Sequence, residues 1–174
     1  MNASVRVVAL VLLTAAVTAD AGARAHAQPP VQATIQEADV IGVVLDQKSQ
    51  QPAILIQGKR DGRRFAMAID AAQVTAIAVP LQGVTPPRPL THDLFLTLFG
   101  RLKVTLTKVV ITDLRDDVYY SVVHLNTGSG DMTVDSRPSD AIALAVRAKV
   151  PVLVEDRVFD KAGGTVAPPK RPHI

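Results

Sequence analysis

Two stretches of the chain, 65 residues apart, repeat one another. Residues 67–79 read MAIDAAQVTAIAV and residues 132–144 read MTVDSRPSDAIAL, with five identities in thirteen positions. Each copy follows two strand-like segments. The chain therefore reads as a duplicated unit of strand, strand, strand and helix, with one further helix between the copies. Antiparallel hairpins with segregated helices make this an α+β domain with an antiparallel or mixed sheet and two to three helices.

The pattern within each copy is explicit. Thr34 to Asp46, Ala53 to Gln57 and Phe65 to Ile69 are rich in β-branched and apolar residues. Asp61-Gly62 between the last two is a hairpin signal, because both residues tolerate positive φ. Ala71 to Val79 reads as a short helix stopped by Pro80. After a Gly- and Pro-rich linker at 82–89, Leu94, Phe95, Leu98 and Phe99 fall on one helical face from Thr91 to Phe99. Thr91 is the expected N-cap. Lys103 to Leu114 and Val118 to Leu125 are strands joined by a turn at 113–117. Met132 to Asp135, a helix over Pro138 to Ala148 starting near Ser136, and a strand over Pro151 to Val154 complete the second half.

The first residues have another job. Arg6, the uncharged run from Val7 to Ala19 and Ala25-His26-Ala27 follow the order of a secretory signal peptide, with cleavage after Ala27. The apolar run is shorter than the ~20 residues of a bilayer-spanning helix. The expected layout is thus a signal peptide at 1–27, a lead-in at 28–34, one domain at 35–160 and a disordered tail at 161–174. No membrane span remains after cleavage, and the destination is secreted or periplasmic. The absence of cysteine excludes a disulfide framework and a thiolate metal site. Cleavage lowers the net charge from +3 to about +2, which permits an anionic partner without requiring one. With 3% aromatic residues and no Trp, an extended stacking platform for single-stranded bases is not expected.

Two segments carry the chemistry. Arg88-Pro89-Leu90-Thr91-His92-Asp93 sets a guanidinium, an imidazole and a carboxylate at a helix start, where free N–H groups favour anions. His92 reads either as an acid or base oriented by Asp93 or as a packing residue. Asp93 reads as a metal ligand or as a complement to the helix dipole. Asp135-Ser136-Arg137-Pro138-Ser139-Asp140 stands at a strand-to-helix junction. Asp135 and Asp140 offer hard oxygen ligands to a divalent metal such as Mg²⁺ or Mn²⁺, and Arg137 suits a phosphate oxygen. The alternative is that Ser136 and Asp140 begin the helix and Arg137 pairs with a neighbouring carboxylate. Asp113, Asp116 and Asp117 around Arg115 read as turn residues or a loose cation site. Lys59, Arg60, Arg63 and Arg64 read as a phosphate-contacting patch or as a solvated edge. Phosphate-loop, nucleophile-elbow and H-E-x-x-H patterns are missing. His124 lies in a strand and reads as structural.

RPLTHDLF from Arg88, KVVITDLRDDVYYSVV from Lys108 and DSRPSDAIALAVRAKVPV from Asp135 resemble the bifunctional nuclease domain family in order and spacing. The resemblance spans roughly residues 35–160. It implies a compact α+β domain that cleaves RNA and DNA. Arg88, His92, Asp93, Asp135, Arg137, Ser139 and Asp140 stand at the family's most recognisable positions. His92, Asp93, Asp135 and Asp140 are the catalytic candidates, with Asp93, Asp135 and Asp140 as candidate metal ligands. Arg88, Arg137 and Ser139 are the candidates for binding substrate phosphate. One departure is Asp117, where the family usually has Gly. The expected activity is a nuclease outside the cytoplasm acting on RNA or DNA. The alternative is a non-catalytic binding or regulatory module, and unpaired sheet edges invite a homo-oligomer.

Overall fold

The computed structural model describes residues 34–46 and 49–163. The expected signal peptide at 1–27, nearly all of the expected lead-in and most of the expected tail lie outside the described residues. Seven strands form one mixed sheet in the order β3-β2-β1-β7-β4-β5-β6. The strands are β1 (Ile35–Leu45), β2 (Pro52–Gly58), β3 (Arg64–Ala68), β4 (Thr105–Arg115), β5 (Val118–Asn126), β6 (Asp131–Ser136) and β7 (Val152–Glu155). The helices are α1 (Ala71–Leu81), α2 (Thr91–Arg101), α3 (Pro138–Ala148) and α4 (Asp156–Lys161). The α+β expectation holds, with four helices instead of two to three.

Both copies of the repeat lie in this one sheet. β1-β2-β3 and β4-β5-β6 are antiparallel meanders that run outward from β7. β7 pairs antiparallel with β1 and parallel with β4, and so seals the two halves together. Alternate strand residues, including Ile54, Ile56, Phe65, Val109, Ile111 and Val154, face one cluster with Ile77 of α1, Ile142 of α3 and Phe159 of α4. Burying a side chain of this size contributes about 1.5–3 kcal/mol, so this cluster holds the sheet and helices together.

The copies differ where chemistry could sit. Asp70 caps α1, its carboxylate accepting from the Gln73 N–H at 3.1 Å. In the second copy β6 runs through Asp135 to Ser136, and Arg137, not Ser136, occupies the N-cap position of α3. The cap in the first copy therefore corresponds in place to Arg137, although sequence alignment sets Asp70 against Asp135. Asp116 and Asp117 alone form the β4–β5 turn, with φ of 49° and 60°.

Two local expectations change. Pro80 does not stop α1, which continues to Leu81. Leu90, not Thr91, is the N-cap of α2, and the Asp93 carboxylate accepts from the Leu90 N–H at 2.8 Å. The apolar face of α2 is only partly covered. Leu96 and Phe99 pack on the core, whereas Leu94, Phe95 and Leu98 remain exposed. The period was helical, but the helix lies near the sheet edge, where β6 is short.

Candidate functional site

The starts of α2 and α3 meet, and their side chains interlock. His92, in the first turn of α2, places Nε2 3.3 Å from Oδ1 of Asp140, which lies 48 residues later in the first turn of α3. Oδ2 of Asp140 accepts from Nε of Arg137 at 2.7 Å. One carboxylate thus joins an imidazole to a guanidinium. His92 is largely covered, with a side chain 14% exposed, while Arg137 is 66% exposed. The arrangement holds His92 in one orientation and leaves the guanidinium facing solvent.

Arg137 stands where three cavities meet. One of about 580 Å³ is lined by His92, Asp135, Asp140 and the apolar side chains of α2, β5 and β6. A second of about 520 Å³ runs past Gln73, Pro89, Leu90 and His92. A third of about 600 Å³ lies toward Asp70, Asp117, Tyr119 and Ser139. The two repeats therefore face each other across Arg137, and the charge of Asp70 adds to the pull of Asp140 in holding that guanidinium cationic.

Asp93 belongs to a different set of contacts. Its Oδ1 accepts from Nε of Arg147 at 2.8 Å, and the Arg147 side chain is 6% exposed. Arg147 Nη1 also donates to the carbonyls of Ala143, at 2.9 Å, and of Ala76. Ala76 is four residues before Pro80, so Pro80 deprives its carbonyl of the usual helical N–H donor. Arg147 fills that vacancy from α3. One buried side chain therefore ties α1, α2 and α3 together, one residue along α2 from His92. Sequence reasoning missed Arg147. Its signal was a cation that directly follows the apolar run AIALAV.

The remaining candidates are dispersed. Asp135 is exposed on β6 and lines the apolar cavity. Ser139 is buried beneath Arg137 on the Tyr119 side. Arg88 is exposed ahead of α2, with no ion-pair partner among the described residues. Asp93, Asp135 and Asp140 do not converge as the expected metal ligands. Among the described residues no three His or acidic side chains form a metal-holding group. Asp140 is engaged by His92 and Arg137, and Asp93 by Arg147. These donors do not fit a resident cation held by the protein alone.

The other charged segments are structural. Lys59 pairs with Glu37, Arg60 with Asp156, and Arg63 with Asp61, Asp156 and Asp160. The basic hairpin is thereby fastened to α4 instead of presenting an open phosphate-binding patch. Asp113 pairs with Lys161 at 2.7 Å and Arg115 at 3.2 Å. His124 lies on β5 between Lys108 and Thr133, outside the site, and burial with Lys108 lowers its pKa.

Residues 54–167 match the family described as Bifunctional nuclease domain. An uncharacterized protein of Mycobacterium tuberculosis is 37% identical over 127 residues, covering 73% of this chain and 76% of that protein. Bifunctional nuclease 1 of Oryza sativa subsp. japonica is 31% identical over 114 residues. That match covers 63% of this chain and 34% of the rice protein. Bifunctional nuclease of Oryza minuta matches to the same extent.

Proposed function

The chain belongs to the bifunctional nuclease domain family, and from that premise we propose that it hydrolyses phosphodiester bonds of RNA or DNA. The observation that carries this reading is the His92–Asp140–Arg137 set, assembled from two helix starts at the meeting point of three cavities. Asp140 fixes the orientation of His92, as a carboxylate does for a catalytic imidazole. Arg137 offers exposed N–H donors to a non-bridging phosphate oxygen, where charge builds in the transition state. His92 takes the proton of an attacking water as the new P–O bond forms. The opposite P–O bond breaks, the leaving oxygen takes a proton from solvent water, and His92 returns its proton to solvent. Asp93 and Arg147 position this set without touching substrate.

The site of action proposed is outside the cytoplasm. Arg6, the apolar run from Val7 to Ala19 and Ala25-His26-Ala27 support it. No helix among the described residues is long and apolar enough to cross a membrane. N-terminal sequencing of protein recovered from the extracytoplasmic fraction is expected to begin at Gln28. An intact Met1 on cytoplasmic protein would refute the assignment.

The activity is tested by incubating the purified chain with end-labelled single-stranded RNA and DNA, with Mg²⁺ and with EDTA. Cleavage is expected to fall about 100-fold or more in His92→Ala, with the circular-dichroism spectrum unchanged. Intact substrate in every wild-type reaction would dismiss the nuclease reading and favour a binding module.

A further inference from the structure

We propose that the slot between α2 and the β5–β6 edge holds a nucleobase of a single-stranded substrate whose phosphate lies against Arg137. This rests on the phosphodiesterase reading and specifies its substrate. The slot has an apolar interior and a polar end. Phe95 and Phe99 of α2 form one wall, their rings 6.3 Å apart between centroids and inclined at 65°. Val123 and Leu125 of β5 form the floor, and Met132 and Val134 of β6, paired across from them, form the outer wall. His92, Asp135, Arg137 and Asp140 gather at the other end.

The walls are not closed by the fold. Phe95 is 48% exposed, and Met132 and Val134 are each 44% exposed. An occupant of this slot of about 580 Å³ can therefore be apolar at one end and meet the exposed Arg137 guanidinium with an anionic group at the other. A nucleotide has that form, with a flat base joined through a sugar to a phosphate. A second copy of the chain fits less well. Antiparallel pairing of β6 with itself about Thr133 would set Asp131 against Asp135 of the copy, and like charges opposite one another are destabilising.

Two consequences follow from the wall chemistry. The interior side chains offer no hydrogen-bond donors or acceptors, so the slot takes any base with little sequence preference. A base stacked in a duplex cannot enter without being flipped out, so single strands are preferred. The chain has only four Phe, and two of them face this one slot. Low aromatic content thus excludes an extended stacking platform without excluding one base subsite.

The experiment is calorimetric titration of the purified chain with adenosine 5′-monophosphate and with ribose 5-phosphate, which share the phosphate but not the base. The nucleotide is expected to bind about tenfold or more tightly than the sugar phosphate. Phe95→Ala removes most of that difference, whereas Leu94→Ala, exposed on the same helix but outside the slot, leaves it intact. Equal binding of the two probes, or no binding of either at millimolar concentration, overturns the proposal. So does a dimer by light scattering in which the nucleotide fails to bind. Preferential nucleotide binding without cleavage of RNA or DNA keeps the slot and removes the nuclease reading. Cleavage without nucleotide preference does the reverse.

Discussion

Replacing Arg147 by Met tests whether the site depends on a buried clamp. The substitution keeps much of the apolar stem and removes the guanidinium. The charged hydrogen bond to Asp93, made at 2.8 Å, is lost. A bond of this kind contributes about 1.5–3 kcal/mol. The lower end applies, because Asp93 is 33% exposed and still accepts from the Leu90 N–H. The Ala76 carbonyl then loses its donor, because Pro80 has no N–H to offer. Leaving a buried carbonyl unsatisfied costs about 1–3 kcal/mol. The Ala143 carbonyl keeps its helical partner and adds little. A total of about 3 kcal/mol is expected, read as a urea-midpoint shift at unchanged slope and a fall in Tm of roughly 10 °C. Pro80→Ala supplies an N–H to Ala76, so Arg147→Met should cost about 1 kcal/mol less in that background. A loss under 1 kcal/mol, or additive effects of the two substitutions, would refute the clamp.

Asp117→Gly is expected to raise stability by about 0.5–1 kcal/mol in urea denaturation, because the position sits at φ 60°, where Gly carries no Cβ strain. Destabilisation there would show that the Asp117 side chain contributes a contact outweighing its strain. The Asp156 carboxyl is lowered to about 2, first by its hydrogen bonds to Arg60 and then by Thr34. A depressed acid stabilises the fold above its ordinary pKa near 4 and loses that contribution as pH falls toward 2. Wild type is therefore expected to exceed Asp156→Asn by about 1 kcal/mol at pH 5 after solvent screening. The gap should close near pH 2; a gap independent of pH would argue against the ion pair as its source.

Most of the sheet is legible in the sequence because strand signals are local. Ala53 to Ile56 and Val109 to Ile111 are short continuous apolar runs, as strands buried on both faces show. The second half of the repeat, from Met132 through Leu144, likewise announces a strand-to-helix junction. What escaped was set by distance. Arg147 finds Asp93 and Ala76 across 54 and 71 residues, so nothing near it in sequence reveals its task. Residues 156–161, DRVFDK, are too few to display a helical period, yet they carry Val158 and Phe159 into the core. Leu94, Phe95 and Leu98 gave the helix but not its surroundings, because amphipathic spacing does not say whether an apolar face meets core or solvent. The same applies at the site. His92 and Asp140 were each visible as candidates, but Asp93, the nearer carboxylate in sequence, was the expected partner, whereas Asp140 reaches His92 across the fold.

The central claim is that His92 moves the proton in phosphodiester cleavage. Chemical rescue tests it most directly. The kcat/KM of His92→Ala on single-stranded RNA is measured with and without added imidazole, beside wild type. The account predicts a loss of about 100-fold or more and partial recovery with imidazole at unchanged secondary structure. Full activity in His92→Ala without imidazole would contradict it.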